Sequence, residues 1–339
     1  MLDLENREVL IQYLLEKGVI HSDIPYEVNY CRGGVSCIAA LIETEGKTML
    51  VKQGRAKLAV KEDWHADPAR MKIEAIANDF YNKCIPQSAP AVLFYDEENC
   101  IMVRDAAPAS CRMWKEDLLS GIFDFEVAQK TMEALAIVHN KSANSPEAAA
   151  AFANQDIFYQ LRISPYFEFL AGKHPEYKAE IEAMIPKIRD DRRVIVHSDY
   201  SPKNILVNAD RSICILDYEI AHYGNPAFDV AFFTNHIVLK SAHMRQYSAA
   251  ILNMLTCMTD TYFGMIDFTD AKELEAERIP LLGILMLARI DGKSPAEYIT
   301  CEKTRQLVRD MAGELIRGKL TTYREAAALL YRMELEFDR

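Results

Sequence analysis

Residues 194–219 read VIVHSDYSPKNILVNADRSICILDYE, and this stretch decides the fold. Three short apolar runs within it, VIV, ILV and ICIL, have the composition of β-strands, and the residues between the first two are polar. Asp199 and Asn204 therefore share one short loop, while Asp217 and Glu219 follow the end of the last strand. The stretch predicts carboxylate and amide oxygens on adjacent loops that face one cleft.

Outward from this stretch, the chain divides into a part rich in strands and a part rich in helices. Towards the N-terminus, the apolar spacing predicts helices over 4–17 and 67–83, β-like runs across 26–53, and two strands at 91–95 and 101–103. Beyond Arg104 it predicts mainly helices, over 125–140, 177–190 and 244–263 and, in separate pieces, over 303–336. We therefore expect an α+β fold with two domains, a small β-rich N-terminal lobe over 1–104 and a larger, mainly helical C-terminal lobe over 105–339.

Composition excludes several classes of partner. The chain has 339 residues, with 39 lysines and arginines against 50 acidic residues, so its net charge is −11. Because no basic run breaks this acidity, neither a nucleic acid nor an anionic membrane is expected as a partner. The acidic N-terminus is unlike a signal peptide, and the longest apolar run, 279–288, is far shorter than the roughly 18 residues that suggest a membrane span. Eight cysteines without a C-x-x-C pair indicate reduced thiols, so we expect a cytoplasmic protein.

The oxygen-bearing side chains of the loop match the needs of one reaction. Phosphoryl transfer from ATP uses one carboxylate to orient the attacking hydroxyl, and an Asn and an Asp to hold Mg²⁺ on the phosphates. Magnesium prefers hard oxygen ligands, so two protein ligands with phosphates and water suffice. Asp199 need not deprotonate the hydroxyl in advance, because positioning and late proton transfer are adequate. The stretch therefore predicts ATP and Mg²⁺ as cofactors and a hydroxyl group as the phosphate acceptor.

Three motifs in a fixed order resemble the aminoglycoside phosphotransferase and choline kinase family, a branch of the protein-kinase-like small-molecule kinases. They are H-x-D-x-x-x-x-N at 197–204, I-L-D-x-E at 215–219, and G-N-P-A-F-D-V-A at 224–231. An earlier segment, 134–139, is similar to the family's L-A-x-L-H helix. The resemblance covers most of the chain, and it implies a bilobal protein-kinase-like fold and transfer of the γ-phosphate of ATP to a hydroxyl.

The resemblance also assigns roles to the motif residues. It implies that Asp199 is the catalytic carboxylate and that Asn204 and Asp217 are metal ligands. Glu219 is the second acid of the family's D-x-E motif, with a contact to metal through water. Asp229 is expected to stabilise the catalytic loop rather than to contact substrate.

The N-terminal half contains candidates for a nucleotide clamp. Gly33, Gly34 and Ser36 lie between β-like runs, where backbone N–H groups can approach phosphates closely. Lys52 ends a strand and is placed to pair with the α- and β-phosphates, and Glu74 on the next helix can pair with Lys52.

Two further features concern adenine and the acceptor. Arg104 and Asp105 lie where the hinge between the lobes is expected, and adenine would hydrogen-bond to the backbone there. Residues 51–53, 62–64 and 70–75 resemble the methylthioribose kinases, which implies a sugar hydroxyl as acceptor. An aminoglycoside or other antibiotic, and an amino alcohol such as choline or homoserine, stay open as alternatives.

Two other classes of function also stay open. A metallohydrolase would use His197 and His222 together with the loop carboxylates as metal ligands, but it would leave Lys52, Glu74 and Asn204 without a role. A catalytically dead nucleotide-binding module would be expected to have lost its lysine or one of its aspartates, and all are present. His197 is expected to form structural hydrogen bonds, and His222, like His139, to be a packing residue.

Some residues beside the motifs are ambiguous. Ser198 stands where the family usually has glycine, and methylthioribose kinases usually carry serine at the position of Asn204. Lys203 would either reach the γ-phosphate or face solvent. Arg289 and Asp291 would either line a substrate pocket or form a salt bridge at a helix end. The oligomeric state is not predicted.

Overall fold

The computed structural model describes residues 2–31, 34–59, 63–276 and 278–337, which form two compact units. The first unit comprises the chain up to Ala109 together with Asp217–Ile220, and the second comprises Ser110–Leu216 and the chain from Ala221 onward. The expected boundary after Arg104 falls within a strand that continues to Asp105. The first unit extends beyond the end of that strand, to Ala109.

The first unit is built on one antiparallel sheet of five strands in the order β1-β2-β3-β5-β4. Its elements are α1 (Arg7–Glu16), β1 (Tyr26–Tyr30), β2 (Cys37–Thr44), β3 (Lys47–Gly54), α2 (Arg70–Cys84), β4 (Val92–Asp96) and β5 (Ile101–Asp105). This is the predicted order of helix, strands, helix and strands.

Strand β3 lies in the middle of this sheet and carries Lys52. Its neighbour Val51 belongs to the hydrophobic core that includes Leu10 and Leu14 of α1. Because side chains alternate between the two faces of a strand, Lys52 points to the opposite face, and helix α2 packs against β3. This alternation brings Lys52 towards Glu74 of α2.

The second unit is mainly helical. Its helices are α3 (Trp114–Leu119), α4 (Phe125–Ser142), α5 (Pro146–Ala151), α6 (Asp156–Phe158), a π-helix (Tyr159–Glu168), α7 (Phe169–Lys173), α8 (Lys178–Asp190), α9 (Ala227–His243), α10 (Ser248–Met265), α11 (Ala271–Ala276), α12 (Ile279–Asp291), α13 (Glu302–Arg317) and α14 (Tyr323–Phe337). Its strands are β6 (Arg112–Met113), β7 (Val194–Val196), β8 (Ile205–Val207), β9 (Ile213–Ile215) and β10 (His222–Gly224). The expected α+β class, with strands first and helices later, is confirmed.

The three predicted strands of the motif stretch form, but they belong to two small sheets. Strand β7 pairs antiparallel with β10, whereas β8 pairs with β6 and β9. The polar loop 197–204 therefore connects one sheet to the other, so its position is determined by both.

Helix α9 is the most buried helix of the second unit, since every residue from Ala227 to Ala242 is buried. It packs against α10 and α12. A helix that is buried on all sides shows no amphipathic period, which explains why apolar spacing did not predict it. Across the ranges that the structure describes, no helix combines the length and the apolar character needed to cross a membrane.

Candidate active site

A buried lysine of the first unit is held by two carboxylates. The Nζ atom of Lys52 lies 2.8 and 2.7 Å from the two side-chain oxygens of Glu74, and 2.8 Å from Oδ1 of Asp217. The side chain of Lys52 is 9% exposed and that of Glu74 is fully buried. Burial acts to lower the pKa of Lys52, but the carboxylates of Asp217 and Glu74 outweigh it and hold this pKa well above its ordinary value. Lys52 therefore stays an ammonium ion.

Glu219 is held by a second buried cation. Its Oε2 atom accepts hydrogen bonds from Nε of Arg70 at 2.9 Å and from the thiol of Cys37 at 3.2 Å. Arg70 is fully buried, and its other donors bond to the backbone carbonyls of Asp67 at 2.9 Å and Arg55 at 3.0 Å. Burial raises the pKa of the Cys37 thiol, and the charge of Glu219 raises it further, so the thiol keeps its proton and donates.

Three carboxylates of the first unit are close enough to share a metal ion. Glu74, Asp217 and Glu219 can each offer one oxygen such that the three oxygens lie within 4.8 Å of one another. With Lys52 and Arg70 counted, the cluster has three negative and two positive charges. The remaining negative charge and the all-oxygen donor set fit Mg²⁺, which binds carboxylates and water. No histidine belongs to this group.

Replacing Lys52 by methionine is expected to lower the free energy of unfolding by about 3 kcal/mol, because Glu74 would stay buried without its cation. The control is Lys47→Met on the same strand, since Lys47 is 48% exposed and pairs with the exposed Asp105. Lys47→Met is expected to lower the free energy of unfolding by less than about 1 kcal/mol. Urea unfolding of both variants measures the difference, and equal losses would contradict the pairing of Lys52 with Glu74.

The expected phosphate loop is only partly described. Gly33 lies outside the described residues. Gly34 is exposed and Ser36 is half-buried, in the connection between β1 and β2. The carbonyl of Ser36 accepts a hydrogen bond from the N–H of Arg55 at 2.9 Å and another from the guanidinium of Arg70. The loop is thus tied through Arg70 to the Glu219 cluster.

The expected hinge residues end strand β5. Arg104 is buried, and its guanidinium donates to the carbonyl of Asp105 at 3.0 Å. The N–H of Asp105 donates to the carbonyl of Ala91 at 2.8 Å, and its carboxylate lies 3.4 Å from Lys47. The backbone N–H of Asp105 is therefore already bonded within the first unit.

In the second unit, the carboxylate of Asp199 is surrounded by donors. Its Oδ1 atom lies 2.7 Å from Nη2 of Arg162, and its Oδ2 atom lies 2.9 Å from Nζ of Lys203. The amide nitrogen of Asn204 donates to both Oδ2 and the carbonyl of Asp199, each at 2.9 Å. This orientation leaves the carbonyl oxygen of Asn204 without a hydrogen bond to any described residue. That oxygen is the atom that would ligate a metal.

Helix α9 holds the backbone of the loop 197–204. The carboxylate of Asp229, in the first turn of α9, accepts the N–H of His197 at 2.7 Å and the N–H of Ser198 at 2.8 Å. The ring of His197 bonds to backbone at both nitrogens, to the carbonyl of Leu216 at 3.0 Å and to the N–H of Asp199 at 3.2 Å. A neutral imidazole satisfies both bonds. The expected structural roles of Asp229 and His197 are confirmed.

The two histidines that were expected to be packing residues, His222 and His139, also contact neighbouring side chains. His222 Nδ1 lies 3.0 Å from the hydroxyl of Ser198, and its ring stacks on Phe158 at 4.1 Å. His139 Nδ1 lies 2.7 Å from the hydroxyl of Tyr262. Both are packing residues, as expected.

Ser198 has a left-handed backbone conformation, with φ of +65°. This conformation explains why glycine is usual at this position, because a Cβ atom is strained there. We expect Ser198→Gly to be more stable towards unfolding than Ser198→Ala by about 1 kcal/mol, although both lose the bond to His222. Urea denaturation of the two variants tests this. If residue 198 had ordinary extended backbone, the alanine variant would be more stable than the glycine variant. A higher stability of Ser198→Ala would therefore contradict the backbone strain at this position.

Arg162 is a site residue that sequence reasoning missed. It is 5% exposed and, besides its pairing with Asp199, its Nε atom donates to the carbonyl of Ser198 at 2.7 Å. It lies on the π-helix, and such helices recur at functional sites. One signal was available, since Arg162 is the only lysine or arginine between Lys141 and Lys173.

The ambiguous residues take different roles. Asp291 forms a two-pronged ion pair with Arg309, with both distances 2.8 Å, and lies 3.0 Å from Nε2 of His174. This supports the salt-bridge interpretation of Asp291. Arg289 instead donates to the hydroxyl of Ser294 at 2.7 Å and lies 3.5 Å from the hydroxyl of Tyr166.

Comparison with known proteins agrees with this description. A model described as "Phosphotransferase enzyme family" matches residues 129–250. A methylthioribose kinase from Pectobacterium carotovorum is 24% identical over 229 residues, which cover 58% of this chain and 55% of that enzyme. The chain thus spans about half the length of the curated relatives it matches.

Solved structures show the same fold. An ethanolamine kinase from Plasmodium vivax is 12% identical, covers 98% of this chain and 89% of its own, and has a TM-score of 0.56. The amicoumacin kinase hAmiN, solved with AMP-PNP, Ca²⁺ and Ami, is 11% identical with coverages of 98% and 96% and a TM-score of 0.52. The fold is therefore kinase-like. The family resemblance predicted from the three motifs is confirmed, because the segment that contains the Asp199 loop matches the phosphotransferase enzyme family.

Proposed function

We propose that this chain is an ATP-dependent phosphotransferase that moves the γ-phosphate of ATP to a hydroxyl of a small molecule. The observation that carries the proposal is the contact of Lys52 with Asp217 at 2.8 Å, across 165 residues of sequence. A phosphoryl-transfer enzyme needs a lysine for the phosphates and an aspartate for the metal. A catalytically dead module has no need to retain both.

Asp199 is the proposed catalytic residue. The acceptor oxygen attacks the γ-phosphorus, the bond from that phosphorus to the bridging oxygen breaks, and ADP leaves. The hydroxyl proton passes to a carboxylate oxygen of Asp199 late in the reaction. Arg162 and Lys203, which contact this carboxylate at 2.7 and 2.9 Å, restrict its orientation and add positive charge where the transferred group is negative.

The first unit supplies the proposed nucleotide and metal ligands. Lys52 would bind the α- and β-phosphates, with Glu74 holding its ammonium in place. Asp217 and Glu219 would hold Mg²⁺ in the first unit. The family resemblance implies Asn204, a residue of the second unit, as a further ligand. When bound, Mg²⁺ neutralises charge on the phosphate oxygens. The excess negative charge of the carboxylate cluster supports this role.

A sugar hydroxyl is the proposed acceptor, because the curated relatives are methylthioribose kinases. Aminoglycosides and amino alcohols are the alternative acceptors, since kinases of these compounds share the fold. We also propose a cytoplasmic location, where the eight cysteines, all free thiols, would stay reduced.

The hydrolase alternative is disfavoured by the two histidines it requires. His197 has both ring nitrogens bonded to backbone, and His222 is bonded to Ser198 and stacked on Phe158. His197 is therefore not available as a metal ligand without losing one of its two bonds.

An ATP-consumption screen tests the proposal. The chain is incubated with ATP and Mg²⁺ and with sugars, nucleoside-derived sugars, aminoglycosides or amino alcohols, and ADP release is measured. We expect ADP release to depend on an acceptor and to match the phosphorylated product in amount. Release that is independent of every acceptor, or cleavage of phosphate esters without nucleotide, would contradict the proposal.

A further inference from the structure

One face of helix α9 carries a row of polar and aromatic residues. Phe232, His236 and Lys240 are four residues apart, so they lie one above another on the same face. The rings of Phe232 and His236 are 5.2 Å apart. Lys240 is 1% exposed, and its ammonium donates to the carbonyl of His236 at 3.2 Å and lies 5.4 Å from the ring of Tyr298.

Two arginines approach the same face from neighbouring helices. The guanidinium of Arg162 lies 5.0 Å from the ring of Phe232 and 5.3 Å from that of Tyr166. Arg289, on α12, lies 3.5 Å from the hydroxyl of Tyr166, and α12 packs against both α9 and the π-helix. We call the four basic side chains Arg162, His236, Lys240 and Arg289 the cation row, in which the two arginines carry the permanent positive charge.

Two members of the cation row have no carboxylate partner among the residues described. The other donors of Arg289 reach Ser294 and the hydroxyl of Tyr166, and its Nε atom is buried without a hydrogen bond to any residue that the structure describes. Lys240 reaches only a backbone carbonyl and an aromatic ring. Nε2 of His236, a residue 8% exposed, is also buried without a partner.

The nearby carboxylates do not balance this charge. Asp199 is shared between Arg162 and Lys203. Glu297 is paired with Lys115. The cations therefore outnumber the carboxylates on this face.

The pKa shifts of the groups on this face are consistent with an excess of positive charge. Burial lowers the pKa of His236 well below its usual value, and Arg289, Lys240, Lys203 and Arg162 lower it further. Burial and then Lys115 and Arg289 lower the pKa of Lys240 to about 7. Burial raises the pKa of Tyr166, but the positive charges of Arg289 and Arg162 outweigh it and lower that pKa.

Buried cations without a counter-charge are costly for a folded protein, and a bound anion removes that cost. The guanidinium groups of Arg162 and Arg289 match the geometry of carboxylate and phosphate oxygens, and His236, which its lowered pKa keeps neutral, adds one N–H donor. A cationic acceptor such as an aminoglycoside or choline would instead be repelled by this face.

We infer that the acceptor is an anionic hydroxyl compound, whose carboxylate or phosphate group binds the cation row while its hydroxyl faces Asp199. This inference rests on the proposed function, because it assumes that Asp199 acts on the acceptor. The row begins at Arg162, which contacts Asp199 directly, and Tyr166 contacts both Arg162 and Arg289.

The test uses acceptors that share a carbon skeleton and differ in charge. Glucose, glucosamine, gluconate and glucose phosphate form one set, and ribose, ribonate and ribose phosphate form another. ADP release is measured with ATP and Mg²⁺, and binding of each compound is measured by calorimetry without nucleotide. We expect an anionic member to have a kcat/KM and an affinity about tenfold or more above those of its neutral counterpart. Because each set contains one carboxylate and one phosphate ester, the comparison also shows which of these two groups is recognised.

The outcomes distinguish the two proposals. Turnover that is best with neutral or cationic members overturns the anionic acceptor and leaves the kinase proposal standing. Selective anion binding without ADP release from any compound supports the anion site and contradicts the kinase proposal. Absence of any anion preference in both measurements overturns the inference.

The variant Arg289→Gln locates the site. It is expected to lower kcat/KM for the anionic acceptor about 30-fold and to change that of the neutral counterpart less than about threefold. Arg189→Gln, the same change at an exposed arginine paired with Asp190, is expected to leave both unchanged. Thermal unfolding confirms that the variants fold. Lys240→Met is a second variant in the cation row and is assayed with the same pair of acceptors. Equal losses for anionic and neutral acceptors would overturn the inference.

Discussion

Asp199→Asn is expected to lower kcat by about 10³-fold and to change the Kd for ATP by less than about twofold. The amide keeps the shape of the side chain and can still bond to its neighbours, but it cannot accept the hydroxyl proton. Arg162 and Lys203 would then face a neutral group, so the orientation of the acceptor would suffer as well. Steady-state ADP release gives kcat, and calorimetric titration gives the Kd for ATP.

The matched control for this change is Asp267→Asn, at an exposed aspartate of the same unit. Its kcat is expected to equal that of the unaltered chain. Near-normal turnover of Asp199→Asn would remove Asp199 from the mechanism. A large loss of ATP affinity in that variant would place the residue in nucleotide binding instead.

Asp217→Asn is expected to abolish the enhancement of ATP binding by Mg²⁺ and to lower kcat by about 10³-fold, since the metal supplies several kcal/mol of charge stabilisation. Asparagine is the suitable replacement because Asp217 has a φ of +69°, and Asn tolerates this left-handed conformation better than alanine. The change removes one negative charge and leaves Lys52 paired with Glu74. ATP affinity is measured by titration with Mg²⁺ and with EDTA.

Asp79→Asn, on the exposed side of α2, is the control for the first unit. It is expected to retain the full dependence of ATP binding on Mg²⁺. If Asp217→Asn retained that dependence too, Asp217 would not be a metal ligand, and the role would pass to Glu219 or Glu74.

Sequence reasoning succeeded where the interacting residues are close in the chain or follow a regular element. Asp199 and Asn204 share one loop, and their contact is a local consequence of the strands on either side of it. Lys52 and Glu74 are 22 residues apart, but the alternation of a strand and the position of the next helix bring them together. These relations depend on short-range geometry.

Arg162 and helix α9 were missed for a different reason. Arg162 belongs to no motif, and it contacts Asp199 because a π-helix from a separate part of the chain packs beside the loop. Helix α9 has no apolar period, because it is buried on every side. The isolation of Arg162 among the lysines and arginines of the sequence marks the residue, but no local pattern predicts its contact with Asp199 or the helix α9.

By itself, the amino-acid order determined the α+β class, the loop of Asp199 and the pairing of Lys52 with Glu74, because each follows from strand alternation and from short connections. Only the tertiary structure decided that β7 pairs with β10, that Arg70 holds Glu219, and that cations gather along α9. Those contacts join segments far apart in the chain, where packing rather than local propensity selects the partner.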